Sequence, residues 1–331
     1  MPARLLPRLP LGRAEGDLEG RLARLTEEVN RRLPELVPSA GERPVAVHRA
    51  MLHALTSPGK RLRPALALAV AEMLGRRAAA VLDLACAVEM VHACSLIFDD
   101  LPSMDDAALR RGRPTVHRVF GEATAQLAGL ALLNRAFGVV AEAAHRLPLR
   151  RYTAEDLVHH LSAAVGSAGL IGGQALDLAS TPEEHDLALL EYIHSHKTGA
   201  LFIAAGELGA MAADARRRDL ETITRFAKNL GLAFQITDDL IDATASAEEA
   251  GKDVGQDAGK VTFVSLLGVP GAATLADELL DFAAATVEPL GRRAEPLREL
   301  AGFVKRRGRR WEGAEAEGAG DGGEGGGPAP A

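Results

Sequence analysis

The chain has 331 residues and a formal net charge of −7, with 47% hydrophobic and 25% charged residues. That mix is globular, and the mild acidity argues against a nucleic-acid binder, which would present a basic face. Aromatics make up only 4%, so Ala, Leu and Val must build most of the core, which favours helices over sheets. The two cysteines, Cys86 and Cys94, share one apolar stretch. They form neither a disulfide framework nor a CxxC metal site, which suits a reducing, cytoplasmic setting.

Residues 1–16 contain arginines but no uninterrupted apolar run, and read as a flexible arm rather than a signal peptide. From 17 to 33, Leu18, Leu22, Leu25 and Val29 recur at helical spacing on one stripe. The same periodicity predicts helices over 64–76, 80–100, 118–146, 154–170, 186–213, 217–244 and 272–287. Turn signals separate them: SPGK at 57–60, RGRPT at 111–115, STPEE at 180–184 and GVPGA at 268–272. Thr181-Pro-Glu-Glu184 has the order of a helix N-cap with proline first and a capping-box acid third. No alternating run is long enough for a sheet. The longest apolar window, 123–141, is broken by Gln126, Asn134 and Arg135, so no transmembrane segment is expected. From 312 the sequence EGAEAEGAGDGGEGGGPAPA is mostly Gly, Ala and Glu with nothing to bury, and 309–331 reads as a disordered tail. One all-α domain over 17–308 is the expected organisation.

The segment FDDLPSMDD, 98–106, gathers four carboxylates in nine residues and is followed at once by RRGRP, 110–114. Acids so close raise one another's pKa unless a cation sits among them, and the cation is either the arginines or a divalent metal. Pro102 breaks the helix after Asp99 and Asp100, so the chain can turn and return Asp105 towards Asp99. A second cluster, FQITDDLIDA at 234–243, sets Asp238 and Asp242 four apart on one helical face, with Asp239 beside them. A solvated acidic face is the bland reading of one such cluster. Two of them, each in an apolar helical setting, fit it poorly. Oxygen ligands without a His or Cys cage suit Mg²⁺, which keeps waters and shares its shell with substrate phosphates. Cations stand where a phosphate would need them: Lys60 and Arg61 in PGKRLRP, Arg110 and Arg111, Lys197 in HKTGAL, Lys252 and Lys260 in GKDVGQDAGK. Taken singly, each would be an ordinary surface charge, and His92 alone would be a core histidine. His92 lies seven residues from Asp99, on the same helical face.

The ordered set GKRLRP (59–64), EMVHACSLIFDDLPSMDDAALRRGRPTVH (89–117), GGQALDL (172–178), HKTGAL (196–201), FQITDDLID (234–242) and GKDVGQDAGKVTF (251–263) resembles the trans-polyprenyl diphosphate synthases, the farnesyl/geranylgeranyl diphosphate synthase family. The resemblance implies an all-α isoprenoid synthase fold of antiparallel helices around a deep central cavity, a homodimer, and three Mg²⁺ ions. It implies condensation of isopentenyl diphosphate with an allylic diphosphate (dimethylallyl, geranyl or farnesyl). Carried over by position, Asp99, Asp105 and Asp238 would bind metal, supported by Asp100, Asp239 and Asp242. Arg110, Lys197, Gln235 and Lys252 would hold the allylic diphosphate, Lys60, Arg61, His92 and Arg111 isopentenyl diphosphate, and Lys260 a further diphosphate contact. Thr198, Gln235 and the Lys197 carbonyl would steady the carbocation.

In that family the positions four and five before the first aspartate, here Ser95 and Cys94, face the growing tail. Short-product bacterial enzymes carry an aromatic at the fifth. A cysteine there implies a deeper cavity and a C20 product, geranylgeranyl diphosphate, over the C15 alternative. Phe98 departs from the histidine of the short-product pattern. A class I terpene cyclase would normally carry an Asn/Ser/Glu-type second motif, and a non-catalytic partner subunit would usually lose one aspartate motif. Both aspartate motifs stand here.

Overall fold

A computed structural model describes residues 18–181, 184, 186–244 and 261–309. The proposed arm at 1–16, the tail from 310, and Lys252 and Lys260 lie outside the described residues. The helices are α1 (Leu18–Arg32), α2 (Val45–Leu55), α3 (Leu62–Met73), α4 (Leu82–Asp99), α5 (Val116–Phe120), α6 (Glu122–His145), α7 (Ala154–Val165) and α8 (Leu170–Ala179). They continue with α9 (Leu187–Lys197), α10 (Gly199–Ala212), α11 (Arg217–Thr244), α12 (Phe263–Thr286) and α13 (Glu295–Gly308). The only strands among the described residues are the two-residue β1 (Leu109–Arg110) and β2 (Arg113–Pro114), which pair antiparallel after the first acid cluster. The expected all-α architecture stands.

The centre of the bundle is α4 and α10. Their sequences are apolar almost all round, the pattern of a helix enclosed on every side. Around them α3, α6 and α11 form the inner shell. Small residues set the spacing: a Cβ on Gly209 of α10 would lie 2.4 Å from the Ala67 carbonyl oxygen of α3. In α1, Leu25 and Val29 are buried and Leu22 packs on the core, as the stripe requires. Cys86 and Cys94 are free and buried.

Several boundaries differ from the periodicity. The run 118–146 is divided at Gly121, whose φ of +82° leaves the helical region and turns α5 into α6. The run 154–170 stops at Val165, and a separate helix, α8, fills the segment after it. The run 186–213 is two helices interrupted at Thr198. Helix α12 begins at Phe263, nine residues early, and bends at Gly268 before Pro270. Helices α2 and α13 were not expected at all. Thr181 does bond Glu184, the Glu184 carboxylate accepting from the Thr181 N–H at 2.8 Å. The α-helix nevertheless starts at Leu187, capped by Asp186, which accepts from the Leu189 N–H at 2.8 Å. Among the described residues two helices, α6 and α12, are long and apolar enough to cross a membrane by length and composition, a test that core helices also pass. Within the bundle, α6 packs on α4 and α12 on α11.

Candidate active site

A cavity of about 570 Å³ opens between the loop before α3, the C-terminal half of α4, the β1–β2 hairpin, α8, the α9–α10 junction, α11 and the end of α13. Its wall carries six cations (Lys60, Arg63, Arg110, Arg111, Lys197, Arg307) against two carboxylates (Asp99, Asp238). That imbalance suits a ligand with several negative charges. Apolar wall is supplied by Leu96, Leu170, Leu201 and Phe234.

The first acid motif turns as its proline suggests. Asp99 ends α4, the chain reverses through residues 101–104, and the Asp105 N–H donates to the Asp99 carbonyl at 2.9 Å. Asp100 points the other way, is 4% exposed, and accepts from Arg110 Nε at 2.9 Å and Nη2 at 2.5 Å. Here is one half of the answer to the acid-then-arginine order: Arg110 compensates Asp100. Asp99 is left facing the cavity. Burial pushes its carboxyl up to about 6, with Asp105 and Asp100 adding to the rise against the pull of Lys197 and Arg110.

The second motif lies across the cavity on α11. Asp238 lines it and is ion-paired with Arg307 of α13 at 2.6 Å. Asp239 turns towards α12, accepting from the Phe263 N–H at 3.1 Å and from Gln235 Nε2 at 3.0 Å. Burial pushes Asp239 up to about 7, assisted by Asp238 and Asp242. Asp242 is exposed. Gln235 also accepts from the Thr198 hydroxyl at 2.8 Å, so the break between α9 and α10 is tied to the aspartate helix. Next to it, Lys197 Nζ meets Asp177 Oδ2 of α8 at 2.5 Å.

Opposite, the loop before α3 is held down by Arg111. Its Nη1 donates to the Pro58 carbonyl at 2.7 Å, and a Cβ on Gly59 would sit 2.4 Å from that nitrogen. Lys60, Arg111 and His92 all line the cavity as expected. Burial, then the surrounding arginines, hold His92 well below its ordinary pKa, so its imidazole is neutral. Arg61 does not line this cavity. It has a left-handed backbone (φ 48°) and its guanidinium is 2.6 Å from Glu89, with further bonds to Asn30, Leu55 O and Ser57 O. It borders instead a separate cavity of about 30 Å³ with Glu89 and Asp100. Arg63, two residues on, takes the cavity position. It lies 4.6 Å over the Phe202 ring, its Nε has no protein partner, and burial pulls its pKa down to about 10.

Of the two tail-length positions, Ser95 lines the cavity, whereas Cys94 is 5% exposed in the core and burial pushes its thiol up to about 12. Phe98 packs against α6 at Gly129, where a Cβ would come within 2.7 Å of the ring. The missing side chain at 129 makes room for the unusual aromatic. Sequence reasoning missed Arg63, Arg307 and Gln174. Gln174 belongs to the GGQALDL motif, and its side-chain oxygen is buried without a partner in the cavity wall.

Among the described residues no three His, Cys, Asp or Glu side chains already form a metal cage. Asp99 with Asp105, and Asp238 across from them, offer oxygen ligands only. A hard divalent ion there must complete its shell with water and substrate oxygens, which is how Mg²⁺ is usually held. The buried Asp99 carboxyl, raised by burial and its acidic neighbours, and the cationic wall fit that arrangement.

Such a cavity, with acids on facing helices, a surplus of arginine and lysine and an apolar stretch of wall, suits a phosphorylated ligand with an apolar part. The polyprenyl synthetase family model matches residues 45–285. A geranylgeranyl diphosphate synthase of Pantoea ananas is 46% identical over 246 residues, covering 74% of this chain and 79% of its own. A solved FPP/GFPP synthase from Zymomonas mobilis superposes with a TM-score of 0.78 at 35% identity, over 87% of this chain and 99% of its own. A geranyltransferase from Helicobacter pylori, complexed with magnesium and isoprenyl diphosphate, gives 0.77 at 31% identity, over 89% and 98%. The chain belongs to the polyprenyl synthetase family and is a prenyltransferase.

Proposed function

We propose that the chain is a Mg²⁺-dependent geranylgeranyl diphosphate synthase, adding isopentenyl diphosphate head to tail to an allylic diphosphate. The observation that carries this reading is the single cavity on which Asp99 and Asp238 stand among six cations. Asp99, Asp105 and Asp238 would hold the metal, three ions in all. Bound there, the metal neutralises charge on the departing diphosphate. Arg110 and Lys197 orient the allylic diphosphate, aided by Gln235; Lys252 and Lys260, expected from sequence to contact a diphosphate, lie outside the described residues. Lys60, Arg63, His92 and Arg111 take the second diphosphate, Arg63 replacing Arg61 in the set expected from sequence.

As the allylic C–O bond breaks, the Thr198 hydroxyl, the Gln235 amide and the Lys197 carbonyl face the cation with oxygen dipoles. The double bond of isopentenyl diphosphate then attacks, and the proton lost goes to the released diphosphate. Leu170, Leu201 and Phe234 keep water from the cation. Small Ser95 beneath Asp99 leaves depth for a C20 tail. A homodimer belongs to the same reading, supported by Leu127 and Leu130, 55% and 54% exposed on α6. So does a cytoplasmic location, supported by two free, buried cysteines.

The test is condensation of labelled isopentenyl diphosphate with farnesyl diphosphate in Asp99→Asn and Asp238→Asn. Each should lose on the order of 10²–10³ in kcat, the scale of one removed charge-stabilising group. Near-parental rates in both would remove the aspartates from the mechanism.

A further inference from the structure

Arg307 comes from the last turn of α13, a segment rich in ordinary surface cations, yet it is turned inwards. The helix end is pinned: Lys305 reaches Asp281 of α12 at 2.7 Å, and Arg309 pairs with Asp277. Gly308 lies close to Thr237 of α11, where even a Cβ would reach Thr237 Cγ2 at 3.4 Å. That close approach sets Arg307 beside the next residue of α11, Asp238.

The guanidinium is only partly used. Nη2 is ion-paired with Asp238 Oδ1 at 2.6 Å and Cζ lies 5.0 Å from the Phe234 ring centroid, but Nε and Nη1 are buried without a protein acceptor. Buried N–H groups without partners are costly, and a guanidinium fork matches an anion that offers several oxygens. Arg307 sits against Asp238 Oδ1, so a divalent ion drawn to that oxygen meets a competing cation. Resting on the prenyl-transfer reading above, we propose that Arg307 is a positioning residue that exchanges partners. It holds Asp238 while no metal is bound, and passes to the substrate diphosphate when Asp238 takes the metal. Loading of metal and of diphosphate are thereby coupled through one side chain.

The experiment uses the full chain and two probes, Mn²⁺ by electron paramagnetic resonance and inorganic pyrophosphate by calorimetry. Arg307→Gln removes the competing cation, so Mn²⁺ without pyrophosphate should bind about 3- to 10-fold tighter than to the parent. Pyrophosphate in saturating Mg²⁺ should bind about tenfold more weakly. Arg307→Lys should recover part of the pyrophosphate loss. Unchanged or weaker Mn²⁺ binding, or unchanged pyrophosphate binding, overturns the exchange. Should Arg307→Gln not fold, Asp238→Asn releases Arg307 without metal. Pyrophosphate alone should then bind more tightly than in Asp99→Asn, which removes an equal charge but frees no arginine at that position. Equal gains in the two variants overturn the proposal. A parent that binds neither probe would bring down the prenyl-transfer reading itself. Parental binding with no effect of Arg307→Gln removes the exchange alone.

Discussion

Gly173 offers the sharpest test of how the helices place the site. It lies in α8 where that helix crosses α9. A Cβ there would stand 2.3 Å from the Lys197 backbone nitrogen, and 2.9 Å from both the Ile193 carbonyl oxygen and Lys197 Cα. All three are backbone atoms, so no rotamer change relieves the clash. Ordinary contact begins near 3.4 Å, so Gly173→Ala must part the two helices by about 1 Å. The same two helices carry the Lys197–Asp177 pair and, one residue on, Thr198. Overpacking of this kind costs about 1–3 kcal/mol, and a catalytic group misplaced by about 1 Å costs roughly 10²-fold in rate. We expect a melting temperature lower by several degrees and a fall of roughly 10² in kcat/KM for the allylic substrate. Gly138→Ala is the control, because its nearest neighbour is a movable arginine side chain at 3.5 Å. The reasoning is refuted if Gly173→Ala melts and turns over within twofold of the parent.

The two arginines of PGKRLRP should separate by readout. Arg61→Ala leaves Glu89 buried without its ion pair and should cost about 3–5 kcal/mol in urea unfolding. A loss below about 1 kcal/mol contradicts the burial argument. Arg63→Ala should raise KM for isopentenyl diphosphate about tenfold or more, as loss of a charge-assisted contact does, and an unchanged KM would exclude it from the site. Ser95→Phe should shorten the main product by one isoprene unit by chromatography of the alcohols. Cys94→Tyr, inserted into the core, should instead lower stability, and a Cys94→Tyr protein that is stable and short-product would reverse these roles. His160 is raised by its bond to Glu207 at 2.8 Å. A raised folded pKa stabilises below the unfolded value near 6.5 and is lost as pH rises through the folded one. The melting-temperature gap between parent and His160→Gln should therefore be widest in mild acid and shrink in alkali, and a gap that widens with pH would contradict the pairing.

What could be read from the residues depended on how far each signal was local. Asp238 and Asp242, the Pro102 turn and the Asp99–Asp105 return all follow from spacing within a few residues. The partition of Arg61 and Arg63 does not. Both are arginines in one short motif, and only the left-handed backbone at Arg61 decides which of them turns into the core. Helix α8 escaped notice because its paired glycines look like a loop, whereas Gly173 permits a close crossing with the backbone of α9. Helix α13 and its Arg307 carry no motif, and nothing local reveals that Gly308 meets Thr237. Thr198 interrupts a pattern that stays apolar and helical on both sides, so periodicity ran through it.

The central claim is that this cavity extends an allylic diphosphate to C20. It is tested most directly by incubating the full chain with Mg²⁺, isopentenyl diphosphate and farnesyl diphosphate, and identifying the dephosphorylated alcohols. Geranylgeraniol as the main species is the predicted result. Failure to extend farnesyl diphosphate, with farnesol accumulating from shorter primers, would contradict the chain length, and no condensation from any primer would contradict the mechanism.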